Sequence, residues 1–150
     1  MVFWVRAVMF RVLTLIVASI FSLVARGEVL SFDMRCFTHR GVEPVNLRFA
    51  SAYLPEARLS VGYVQYEKFN DSILLSFVGS EETVLDDDRP VEVTTTWREV
   101  FKTKFGGEYK VISQGANIYG FSYKSRNGRV TNFEYNSSAI MPNYRGCSWG

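Results

Sequence analysis

From Leu30 to Asn136 apolar and polar residues alternate with a period of two, interrupted at short intervals by glycine, proline, asparagine and aspartate. Successive side chains point to opposite sides only in an extended chain, so this pattern restricts the segment to half-buried strands. After residue 27 no stretch carries the three-and-four spacing of an amphipathic helix. An all-β architecture follows.

The alternation places Leu30, Phe32, Met34 and Cys36 on one face and Ser31, Asp33 and Arg35 on the other. A turn at His39-Arg40-Gly41 leads to a second run, residues 44–52, with Val45, Leu47 and Phe49 opposite Asn46 and Arg48. Residues 59–67 and 72–78 predict a hairpin joined through Lys68-Phe69-Asn70-Asp71. Residues 79–89 (GSEETVLDDDR) read as an exposed acidic loop ending at Pro90, which cannot donate to a central ladder. Alternation resumes through Val91, Val93, Thr95 and Trp97 and continues through Glu99, Phe101, Thr103 and Phe105, as one bent strand or two short ones. Gly106-Gly107 predicts a turn, and residues 108–113, 118–124 and 129–136 predict three more strands. Asn127-Gly128 between the last two is a strong hairpin signal, suited to a type I′ turn. On the strand 118–124, Tyr119, Phe121 and Tyr123 share the face assigned to the core. About eight short antiparallel strands predict a meander in a small closed or partly closed barrel, with a two-sheet sandwich as the alternative.

The first 27 residues have another character. Arg6 and Arg11 precede the uncharged run 12–24, and Ala25-Arg26-Gly27 places small residues before a cleavage point, the plan of a secretory signal peptide. The run of about 13 residues falls short of the roughly 20 that span a bilayer, so a retained anchor is the second reading. A signal-peptide helix over 1–27 and one exported domain over 28–150, favouring the periplasm, are expected. No stable membrane insertion is expected after cleavage. Losing three of the 17 basic residues with the leader leaves 14 against 15 acidic ones, a net charge of −1. The remaining basic residues are dispersed along the strands, which argues against a nucleic-acid partner.

Export makes pairing of the two cysteines, Cys36 and Cys147, the expected outcome, tying the first strand to the C-terminal tail. The single histidine, His39, provides neither a zinc set nor the usual acid–base pair. No cofactor or metal is expected. Asp86, Asp87 and Asp88 with Glu81 and Glu82 read as a solvated acidic loop suited to a basic partner, because consecutive aspartates do not converge on one cation. A carboxylate hydrolase using Glu99 with Asp86 to Asp88 is the least favoured class. A lectin-like or small-ligand barrel, with Trp97 and exposed tyrosines stacking on sugar, is the second class. The leading class is a non-enzymatic binding protein. Its candidate contact surface is the polar loop Ser113-Gln114-Gly115-Ala116-Asn117, bounded by Tyr109 and Tyr119, where small residues permit close approach.

Phe32-Asp33-Met34-Arg35-Cys36 at the start of the barrel, Cys147 placed to close on it, and the run from Ser113-Gln114-Gly115 to Tyr119 resemble the periplasmic or membrane-bound inhibitors of c-type lysozyme. That family opens on a shorter Tyr-x-Cys and carries a Ser-Gly-x-x-Tyr loop, relative to which this chain has an inserted residue and a shifted tyrosine. The resemblance implies an eight-stranded exported barrel that inhibits a lysozyme-like enzyme by inserting Ser113, Gln114, Gly115, Asn117 and Tyr119 into its cleft.

Overall fold

In the computed structural model, which describes residues 31–101 and 104–149, eight strands follow one another around a closed antiparallel barrel. They are β1 (Ser31–His39), β2 (Val45–Leu54), β3 (Leu59–Tyr66), β4 (Ile73–Thr83), β5 (Glu92–Phe101), β6 (Lys104–Gln114), β7 (Asn117–Lys124) and β8 (Val130–Tyr135). Each pairs with its chain neighbour, and β1 meets β8 through Phe37 opposite Tyr135 and Thr38 opposite Glu134. Closure removes the unpaired edges that a sandwich retains. The expected leader lies outside the described residues.

Alternation fills the interior from every strand. Phe37, Leu47, Phe49, Val64, Leu75, Trp97, Tyr109, Val111, Phe121 and Phe133 form one buried cluster. Phe37 stacks on Phe121 with ring centroids 4.2 Å apart, and Phe49 meets the edge of Trp97 at 5.6 Å. The opposite face of β1, with Phe32, Met34 and Cys36, turns outward. Met34 and Cys36 are buried there with Ala50 and Ala139, and Ile140, Cys147 and Trp149 pack against them. The chain reaches this outer face by folding back after β8 through two 3₁₀ turns, Ser137–Ala139 and Pro142–Tyr144. Backbone bonds from Met141 N to Gly146 O (2.9 Å) and from Ser148 N to Ala139 O (2.7 Å) shape the tail, and the Cys36–Cys147 disulfide fastens it to β1.

Several local expectations change. Residues 79–83 belong to β4 rather than to a loop, because a register shift between Phe77 and Gly79 lets Glu81 and Glu82 pair opposite Thr94 and Val93. Gly106-Gly107 is not the turn. Phe101 already pairs with Lys104, and both glycines lie within β6. Tyr119 leaves the core face, because a shift between Ile112 and Ser113 gives β7 an extra residue. Ile118 then packs against the core while Tyr119 is 54% exposed. The Asn127-Gly128 hairpin forms, but of the two only Gly128 has positive φ, at 85°, and Ser125 N donates to Arg129 O at 2.9 Å. The connection is thus a three-residue loop ending in a glycine bulge rather than a type I′ turn.

Candidate functional site

The predicted contact residues gather at the end of the barrel that carries the β4–β5 and β6–β7 connections. The expected five-residue polar loop contracts to a Gly115-Ala116 turn, since Gln114 pairs with Asn117 and Ser113 with Ile118. Gly115 has φ +59°, the left-handed conformation that favours glycine. Gln114 donates from Nε2 to the Pro90 carbonyl at 2.8 Å, Ser113 Oγ donates to the Val93 carbonyl at 3.4 Å, and the Tyr119 hydroxyl donates to the Glu92 carboxylate. These bonds tie the hairpin to the start of β5, so Ser113, Gln114, Gly115, Asn117 and Tyr119 share one rim.

The rim is acidic. Glu81, Glu82, Asp86, Asp87 and Asp88 are all exposed beside it, and Arg89 lies 3.9 Å from Asp86 as the nearby counter-charge. No group of three His, Cys, Asp or Glu side chains among the described residues is arranged to hold a metal ion.

The structure separates Glu99 from this rim. Glu92 lies at the far end of the same strand, roughly 20 Å of extended chain away, so Glu99 does not meet Asp86 to Asp88. Glu99 points into the opposite end of the barrel and is 6% exposed, a charged residue buried in the core. Gly107 N donates to its Oε2 at 2.7 Å and the Tyr109 hydroxyl to its Oε1 at 3.0 Å. The Tyr66 and Tyr109 hydroxyls are 2.9 Å apart. Gly106 and Gly107 create the space, because a Cβ on Gly106 would overlap Glu99 Oε2 and one on Gly107 would overlap the Tyr123 ring.

Burial pushes the Tyr66 phenol up to about 12, and burial also raises Tyr109 and Tyr123, with Glu99 adding to both. Tyr109 is therefore held as the phenol that donates to the carboxylate, and Tyr66 is bonded to Tyr109. Because Tyr66 titrates higher folded than unfolded, its stabilising contribution is complete below pH 10 and is lost as pH rises toward about 12. An alkaline titration is expected to show the phenolate absorbance of Tyr66 and Tyr109 appearing only as the near-UV circular dichroism collapses. Ionisation of Tyr66 completed while the near-UV circular dichroism persists would contradict the network.

His39 ends β1 instead of forming a turn, with Nδ1 2.7 Å from the Asn132 carbonyl. Trp97 is 5% exposed and packs between Phe49 and Phe77, so it presents no face to a sugar. Comparison with protein families, with curated proteins and with solved structures finds no match to this chain.

Proposed function

We propose that this chain is an exported, non-enzymatic binding protein that presents the β6–β7 rim to a basic protein partner, in the manner of an inhibitor that occludes an enzyme's cleft. The observation that carries this reading is the tethering of Gln114 to Pro90 and Tyr119 to Glu92 within an acidic surround. A rim ordered before contact avoids part of the entropy loss on binding, and its charge steers a basic partner toward it. The Cys36–Cys147 disulfide and the exported-type leader support a periplasmic or extracellular setting. Glu99, whose oxygens already accept bonds from Gly107 and Tyr109, fits a structural role better than that of a general base.

The partner class drawn from the resemblance is a c-type lysozyme or a related cell-wall hydrolase. Titrating the purified, oxidised protein into a lysozyme assay is expected to give stoichiometric inhibition. Gln114→Arg, which replaces the amide that donates to Pro90 and adds positive charge, is expected to weaken it at least about tenfold. An absence of inhibition at micromolar excess would discard lysozyme as partner. Equal inhibition by Gln114→Arg would move the contact surface away from this rim.

The sugar-binding alternative loses Trp97. It keeps a groove of about 260 Å³ on the outside of the barrel, lined by Trp149, Phe69, Gln65 and Arg48. Glycan-induced change in tryptophan fluorescence that disappears with Trp149→Ala would favour it.

A further inference from the structure

Away from the acidic rim, at the end of the barrel that contains Glu99, basic side chains gather around one groove. Arg98, Glu108 and Lys124 stand side by side across β5, β6 and β7, with Arg98 opposite Glu108 and Glu108 opposite Lys124. The chain then turns through Ser125 and Arg126, and a groove of about 360 Å³ opens between this turn and Phe105-Gly106-Gly107. The guanidinium of Arg98 is held on one side by Glu108, at 2.5 Å, and on the other by the Phe105 ring, 5.7 Å from its centroid. Among the described residues neither Lys124 nor Arg126 takes part in an ion pair. Three cations thus outnumber the two nearby carboxylates, Glu108 in the groove and the buried Glu99 behind Gly106 and Gly107. The Glu108 carboxyl is held below the ordinary range chiefly by its hydrogen bond to Arg98, with further lowering from Lys124 and Lys110, so their field reaches the groove.

We infer that the groove bounded by Arg98, Phe105, Gly106, Lys124 and Arg126 is an anion site that takes a phosphate group. The Cα atoms of Arg98 and Lys124 are two strand spacings apart, about 10 Å, and Arg126 approaches from the following turn. A tetrahedral phosphate has enough oxygens to meet three cations from three directions, whereas a carboxylate has two. Arginine supplies planar donors and lysine a mobile point charge, a combination suited to phosphate. The pre-set Arg98 loses little freedom on binding, because Glu108 and Phe105 already orient it. The site stands apart from the partner-binding rim and does not depend on it.

The test follows backbone amide shifts of the oxidised, isotope-labelled protein during titration with inorganic phosphate at about 0.15 M salt, where diffuse surface attraction is screened. Saturable shifts concentrated at Gly106, Gly107, Lys124, Ser125 and Arg126 are expected. The double substitution Lys124→Gln/Arg126→Gln is expected to weaken binding at least about tenfold. Arg40→Gln/Arg129→Gln removes the same charge outside the groove and is expected to stay within about twofold of the unaltered protein. Sedimentation with vesicles of phosphatidylcholine, with and without phosphatidylglycerol, separates the sources. Vesicle binding that requires Lys124 and Arg126 supports a lipid headgroup, and phosphate binding without vesicle binding supports a soluble phosphate compound. Shifts spread evenly over all basic residues, or equal losses in the two double variants, would overturn the site.

Discussion

Replacing Cys36 and Cys147 together by alanine is expected to lower the melting temperature by roughly 10–20 °C, the shift that a loss of about 4–5 kcal/mol produces in a domain of this size. The disulfide closes a loop spanning a sequence separation of 111, so its removal restores much freedom to the unfolded chain. Its position adds a second effect. The barrel closes between β1 and β8 over two residue pairs, Phe37 with Tyr135 and Thr38 with Glu134, assisted by Asn136 N donating to Cys36 O at 2.8 Å. The tail leaves β8 directly beyond this seam and returns to β1 through Cys147. Cutting the bond therefore frees the tail and loosens the shortest pairing in the barrel together. Trp149, packed on the outer cluster with Met34 and Ala50, reports the release. In the double variant its fluorescence is expected to shift to the red at temperatures where the strands still give a β-type far-UV spectrum. A melting temperature within a few degrees of the oxidised protein would mean that the seam and tail hold without the covalent link.

Strand number and the cysteine pair were legible because they depend on local alternation and on chemistry that leaves few options. The runs around Leu47 and Phe49, or Phe121 and Phe133, need no tertiary knowledge to be recognised as strands. Which face is the interior was less legible on β1. Both faces are apolar in part, since Phe37 looks into the barrel and Met34 and Cys36 look out under a tail whose return the local pattern does not encode. The three register shifts, at Val78, Glu99 and Tyr119, account for the misplaced loop at residues 79–83, the misplaced turn at Gly106-Gly107 and the face of Tyr119. A bulge inserts one residue and reverses every face assignment beyond it, and period-two reasoning cannot anticipate it. Tyr119 is the clearest case: parity assigns it to the core, and the bulge delivers it to the rim beside Glu92. Within the candidate site, the polar character of Ser113, Gln114 and Asn117 was readable. The tethering of Gln114 to Pro90 and of Ser113 to Val93 depends on β5 lying beside β6, which is a long-range fact. Lys124 and Arg126 looked dispersed in sequence because Arg98, their neighbour in space, lies on β5.

Substituting Glu99 by leucine is expected to destabilise the barrel by about 2–5 kcal/mol, although leucine is the more apolar residue. The structure puts this carboxylate in the core, and a charge there persists only if the fold supplies partners. It does so through the β5–β6 register shift, which places two residues, Gly106 and Gly107, opposite Glu99 and brings Gly107 N within 2.7 Å. Leucine would leave that buried N–H without its acceptor and take the acceptor from the Tyr109 hydroxyl. Glu99→Gln retains one carbonyl oxygen and is expected to lose less than half as much. Tyr109→Phe distinguishes a lost hydrogen bond from a packing change. In the unaltered protein it removes a donor to Glu99 and costs stability, whereas in the Glu99→Leu background it removes a hydroxyl whose remaining partner is Tyr66 and costs less. Chemical denaturation of the four-member cycle should therefore give a coupling of at least about 1 kcal/mol. Additive losses would mean that Glu99 and Tyr109 contribute independently, and the carboxylate would then have to be explained by a role other than joining β5 to β6.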